Sequence, residues 1–175
     1  MKKKSVVLFG DSGLGRFNRD RIRKLEKASG NVDVYNCAVG GLNSRDGLEM
    51  ASFIAKLEPD IVAFSFPAND IADGISIEET KMDMLGIIKA FKKSKIILFL
   101  YPNADERFRE IPSFNERMAE YNLLLKELAD LCGAKTIDGP QAYGKIKKEY
   151  HEDDGIHLNE YGYDILIGEM VKVIN

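Results

Sequence analysis

At 175 residues, with 45% hydrophobic and 30% charged side chains, the sequence is long enough for one complete core and too short for two ordinary domains. That balance excludes a disordered chain, and no stretch approaches the length of a membrane span. The net charge of −3, from 25 basic and 28 acidic residues dispersed along the chain, leaves no basic footprint for nucleic acid.

Met1-Lys2-Lys3-Lys4 followed by apolar residues looks superficially like a secretory leader. The run Val6-Val7-Leu8-Phe9 is too short for the apolar part of one and ends in Gly10-Asp11 without a small-residue cleavage site, so a first strand over residues 5–9 is expected. Further strands are expected at residues 32–36, 61–66, 95–101 and 134–138. Continuous apolar runs such as Ile96-Ile97-Leu98-Phe99-Leu100 suit strands covered on both faces, as in a parallel sheet. Helical patterns fill the intervals. Ser76 with Glu79, and Ser113 with Glu116, have the spacing of capping boxes. Met118, Tyr121, Leu124, Leu125, Leu128 and Leu131 form a helical stripe, as do Tyr163, Leu166, Ile167, Met170, Val171 and Ile174, and both read as core faces. Cys37 and Cys132 fit no metal or redox spacing and read as reduced thiols, buried as small hydrophobes, in a cytoplasmic protein.

Strands therefore alternate with helices from end to end, with no linker or repeat. Right-handed crossovers then give an α/β fold, a three-layer α/β/α sandwich around a five-stranded parallel sheet in the flavodoxin-like order 2-1-3-4-5, as a single domain over residues 1–175. In such sheets the working crevice lies outside the carboxyl ends of the strands. The connections to inspect are residues 10–17, 38–44, 67–74, 102–112 and 139–158.

The first of these reads Gly10-Asp11-Ser12-Gly13-Leu14-Gly15. A serine on a tight glycine-bearing turn can present its hydroxyl above the sheet, near the positive end of the next helix. The same turn could instead cradle a phosphate or simply connect strand to helix. It is neither a Gly-x-Ser-x-Gly elbow nor a Walker loop. The last connection carries Asp153-Asp154-Gly155-Ile156-His157. A serine hydroxyl needs an imidazole to take its proton and a carboxylate to orient that imidazole, which Asp154 and His157 could supply from one turn. The alternative is a metal set of His151, Asp153, Asp154 and His157; His151 otherwise reads as an exposed loop residue. Gly40-Gly41 can expose a backbone N–H and Asn69 an amide, the donors that acyl transfer needs, although simple turn chemistry and a helix cap explain them equally.

Taken in order, these connections resemble the SGNH hydrolase (GDSL-like lipase/acylhydrolase) family, whose blocks carry Gly-Asp-Ser, an Asn-rich glycine loop, Gly-x-Asn-Asp and Asp-x-x-His. They stand here as Gly10-Asp11-Ser12, residues 36–44, Ala68-Asn69-Asp70 and Asp154-Gly155-Ile156-His157. The resemblance spans essentially the whole chain. It implies Ser12 as nucleophile, with His157 as general base and Asp154 orienting it. It also implies an oxyanion hole made by the backbone N–H groups of Ser12 and Gly41 and the side chain of Asn69. Gly41 is preferred to Gly40 because it falls five residues after Asn36, the family's spacing. Asp11 and Phe108 are expected to contact substrate, with residues 103–112 forming its wall. The implied activity is cleavage of small-molecule acyl esters, short-chain or acetyl, without metal or organic cofactor, nucleic acid or membrane.

The departures fall beside the serine and the amide. Gly13 replaces a large aliphatic residue, Arg16 stands where a small residue often follows, Pro67 replaces a glycine and biases Phe66 toward an extended backbone, and Ala38 replaces another glycine. Three other readings stay open: a flavodoxin-like phosphate- or nucleotide-binding module, an SGNH-type acyltransferase, and an inactive carbohydrate-binding relative.

Overall fold

The five β-branched, apolar runs become the strands of a single sheet in a computed structural model that describes residues 2–175. The strands are β1 (Lys4–Gly10), β2 (Val32–Asn36), β3 (Ile61–Ser65), β4 (Lys95–Leu100) and β5 (Lys135–Asp138). All pairings are parallel and the order is β2-β1-β3-β4-β5. Between and after the strands come α1 (Ser12–Gly15), α2 (Arg19–Ser29), α3 (Ser44–Ile54), α4 (Pro67–Ala72), α5 (Ile77–Ala90), α6 (Phe114–Cys132), α7 (Gly139–Tyr143) and α8 (Glu160–Ile174).

The period-2 alternation of strand side chains splits the core into two layers. Val6 and Leu8 of β1 pack on one face with Leu25 of α2 and Leu166 and Met170 of α8. Val7 and Phe9 pack on the other with Ala51 of α3, Ile87 of α5 and Leu125 and Leu128 of α6. On that second face Phe9 meets the ring of Phe66 edge-on, 5.1 Å between centroids at 87°, a geometry aromatic quadrupoles favour. Both faces of β1 and β3 are covered, so neither strand could alternate polar and apolar residues.

Several local expectations change. Phe66, Tyr101 and Ala134 lie just outside their strands, because the chain has already turned into or out of the flanking segment there. Three intervals read as connections contain the short helices α1, α4 and α7. Ser76 and Glu79 do form a reciprocal capping box. Ser113 does not: its backbone is left-handed at φ 54° and its hydroxyl caps nothing. Instead the Asn115 side chain accepts from the Ala104 N–H at 2.9 Å and donates to the Ala104 carbonyl at 2.8 Å, binding residues 102–112 to the start of α6. Pro67 occupies the first turn of α4, where its missing N–H is harmless, and Phe66 has ψ −23° rather than an extended value, since it begins that helix. Leu131 and Cys132 are exposed at the end of α6, past the point where the stripe meets the sheet. No described helix is long and apolar enough to cross a membrane.

Candidate active site

The carboxyl ends of β1 and β3 approach so closely that Gly10, at φ 151°, is obligatory: a Cβ there would lie 2.8 Å from the Ser65 backbone nitrogen. The chain then turns, and the Asp11 N–H donates to the Ser65 carbonyl at 2.7 Å. The Asp11 carboxylate caps α1, accepting from the Gly13 N–H at 2.9 Å, and also accepts from the Ser65 hydroxyl at 3.2 Å and from the Tyr101 hydroxyl. Asp11 is fully buried and does not reach the cavity, so the expectation that it contacts substrate is corrected: its side chain serves the turn from beneath. Burial pushes its carboxyl up to about 7, against the hydrogen bonds from Tyr101, Gly13 and Ser65, which favour the charged form. The Gly13 N–H of this turn is therefore taken up by the Asp11 carboxylate.

Ser12 opens α1, and its Oγ lies 2.9 Å from Nε2 of His157. Nδ1 of that ring is 2.6 Å from Asp154 Oδ2. An ionised carboxylate only accepts, so Nδ1 carries the proton and the Nε2 lone pair faces the serine hydroxyl, which donates to it. The other oxygen of Asp154 accepts from the backbone N–H of Ile156 at 3.0 Å and of His157 at 2.9 Å. Partial burial raises the Asp154 carboxyl, but the His157 and Ile156 N–H groups and the His157 ring outweigh it and hold it at about 2.

The turn bearing this pair is braced from both sides. Gly155, at φ 75°, leaves no room for a side chain: a Cβ would stand 2.5 Å from Asp105 Oδ1 and 2.7 Å from the Phe108 nitrogen. The Asp105 N–H donates to the Gly155 carbonyl at 2.9 Å, and the Glu152 N–H to the His157 carbonyl at 2.7 Å. Asn159 donates to the His151 carbonyl at 3.0 Å. His151 is buried, not exposed as expected; its Nδ1 lies 3.5 Å from Asp105, and burial lowers its basicity against the pull of Asp105 and Glu149. The metal set considered from sequence does not converge. Among the described residues the only comparable group is Asp105, Glu149 and His151, and the Arg107 guanidinium is already paired with both of its carboxylates.

The other two loops meet the serine from the β2 and β3 side. Asn36 donates to the carbonyls of Leu14 and Phe17, each at 3.1 Å, and the Val39 N–H donates to the Gly10 carbonyl at 2.9 Å, which ties the glycine loop to α1 and to the end of β1. Gly41, at φ 88°, and Asn69 both line the cavity beside Ser12. Gly40 stays off that wall, although a Cβ there would be 3.7 Å from Ser12 Cβ. One N–H of the Asn69 amide goes to the Leu42 carbonyl at 3.0 Å, leaving the second for the cavity. Buried Asp70 fastens the two loops together through the Ser44 N–H at 2.6 Å and the Thr80 hydroxyl at 2.9 Å.

The cavity has a volume of about 400 Å³. Ala68, Ala72, Pro102, Phe108, Ile111 and Ile156 give it apolar walls, and Phe108 stacks edge-on against Phe114. Its charged members are Arg16, which pairs with Glu152 at 2.6 Å, and Glu110. Tyr101, Asp105 and Glu152 escaped the reading of the sequence. Tyr101 was open to detection as the first hydroxyl after the apolar β4 run, at a strand's carboxyl end; the other two carry no local signal.

A family model described as the GDSL-like lipase/acylhydrolase family matches residues 8–165. The N-acylneuraminate cytidylyltransferase of Escherichia coli O18:K1:H7 (strain RS218 / NMEC) is 28% identical over 163 residues, 85% of this chain, and the chain spans 36% of that protein's length. The lipase/acylhydrolase from Enterococcus faecalis superposes with a TM-score of 0.86 at 26% identity, covering 97% of this chain and 94% of its own. The acetyl xylan esterase AlAXEase shares the fold with a TM-score of 0.82 at 19% identity, covering 98% of this chain and 100% of its own.

Proposed function

Because the chain belongs to the GDSL-like lipase/acylhydrolase family, we propose that it is a serine ester hydrolase that cleaves small acyl esters, acetyl or short-chain, through an acyl-enzyme on Ser12. The observation that carries this reading is the hydrogen-bonded series from Asp154 through His157 to Ser12, 2.6 Å and then 2.9 Å. As the Ser12 oxygen attacks the ester carbonyl, its proton passes to Nε2 of His157, and Asp154 stabilises the imidazolium. The carbonyl oxygen takes up the negative charge among the N–H groups of Ser12 and Gly41 and the free N–H of Asn69. Collapse of the tetrahedral intermediate expels the alkoxide, which takes the proton from His157. Water, deprotonated by the same imidazole, then attacks the acyl-enzyme, and the imidazolium returns that proton to the Ser12 oxygen as the acid is released.

Short apolar walls at Ala68 and Ala72 suit a small acyl group. Acetyl esters of carbohydrates are the first substrates to try, since one structural neighbour is an acetyl xylan esterase and the curated relative is named for a sugar. The deciding experiment is mass spectrometry after a fluorophosphonate probe, alongside release of p-nitrophenol from its acetate ester. We expect one adduct on Ser12 and no turnover by Ser12→Ala. Full turnover by that variant would sink the proposal.

A further inference from the structure

Among the described residues, Asp11 is the only buried carboxylate with an oxygen, Oδ2, that meets no hydrogen-bond partner. Its other oxygen takes three donors at once: the Gly13 N–H, the Ser65 hydroxyl and the Tyr101 hydroxyl. Tyr101 is itself immobilised. The Asn122 side chain accepts from its backbone N–H at 3.0 Å and donates to its carbonyl at 2.9 Å, and its ring packs on Phe99 at 5.1 Å. The phenol also fills the space that a side chain at position 13 would need, since a Cβ on Gly13 would lie 2.8 Å from Tyr101 Cζ and closer still to the hydroxyl. On its far side Gly13 is held by the Tyr163 hydroxyl, which donates to its carbonyl at 3.0 Å.

We propose that Tyr101 is a positioning residue for Ser12: its hydroxyl holds the Asp11 carboxylate under the first turn of α1, and that turn sets the distance from Ser12 Oγ to His157. The space beside Gly13 is thereby filled from another strand end. This inference rests on the serine hydrolase reading.

The groups facing Asp11 are Tyr101 after β4, Ser65 at the end of β3, the Gly13 N–H of α1, and Asp70 of α4 acting through its charge. Burial favours the protonated acid and the Tyr101 hydrogen bond opposes it. Without the phenol, Asp11 keeps its proton to higher pH. A protonated Asp11 is a weaker acceptor for Gly13 and no longer places a negative charge at the start of α1.

The test is the rate of fluorophosphonate addition to Ser12, and kcat and KM on p-nitrophenyl acetate, from about pH 6 to about pH 9. Tyr101→Phe is expected to lower kcat at neutral pH roughly fivefold with KM little changed. Its acid limb should move upward by about one pH unit. In an Asp11→Asn background the same change should add little, because the group through which it acts can no longer titrate. If Tyr101→Phe melts too early to assay, Asp11→Asn alone decides: its acid limb must become shallower, with one ionisation fewer, and an unaltered limb overturns the proposal. An acid limb unmoved in Tyr101→Phe, or effects of the two changes that simply multiply, also overturn it. No addition to Ser12 in the unaltered protein would overturn the hydrolase reading and this inference with it.

Discussion

Asp154 and His157 stand three residues apart, and one carboxylate controls both ends of that interval, accepting the His157 backbone N–H at 2.9 Å and facing the ring Nδ1 at 2.6 Å. The side chain that orients the imidazole also builds the turn on which it sits. Replacing Asp154 with Asn, whose amide can present a donor to the ring, is expected to lower kcat by roughly three to four orders of magnitude. Steady-state kinetics on p-nitrophenyl acetate measure this; a loss below tenfold would contradict the role.

Gly155 is the hinge of the same turn. Gly155→Ala combines a strained positive φ with a Cβ pressed against Asp105 and the Phe108 backbone. The expected loss of stability is roughly 1–3 kcal/mol, with kcat falling as His157 shifts from Ser12. Urea unfolding and kinetics on one preparation check both.

Asn69 lines the cavity, and one of its amide N–H groups holds the Leu42 carbonyl, so the proposed oxyanion donor is the other. Asn69→Ala is expected to cost roughly 2.7–4 kcal/mol of transition-state stabilisation, seen in kcat and not in KM. A variant as active as the original protein would remove Asn69 from the proposed oxyanion hole.

Asp11 makes stability depend on pH in the sense opposite to a salt-bridged carboxylate. Its folded pKa, about 7, lies above the ordinary carboxylate range, so the folded state binds the proton more tightly than the unfolded chain. That contribution is complete below about pH 4 and is lost as pH rises through about 7. Asp11→Asn should therefore gain stability relative to the original protein between about pH 5 and about pH 8, on the order of a few kcal/mol. Denaturant midpoints across that range give the measurement, and a constant difference would contradict it.

The sequence by itself determined the strands, their order and the edge of the sheet to inspect. Apolar runs such as β3 and β4 can only be buried on both faces, and right-handed crossovers then leave few ways to wind the chain. It also determined that Ser12, Gly41, Asn69 and His157 sit on connections at the carboxyl edge, because each lies just beyond a strand or in the segment before the last helix. Local turn chemistry was legible at Ser76 and misleading at Ser113, where attachment of residues 102–112 to Asn115 overrides the capping spacing.

Only the tertiary structure decided where side chains point across the sheet. Asp11 follows a strand and precedes a serine, yet its carboxylate turns into the core because Tyr101, 90 residues away, brings a hydroxyl there. His151 lies in a polar stretch, yet is buried because Asn159 and Asp105 draw that stretch onto the His157 turn. Strand periodicity repeats every two residues and carries no record of such pairings. They come into being when the crossovers set distant strand ends side by side, and burial then forces each polar atom to find whatever partner that packing supplies.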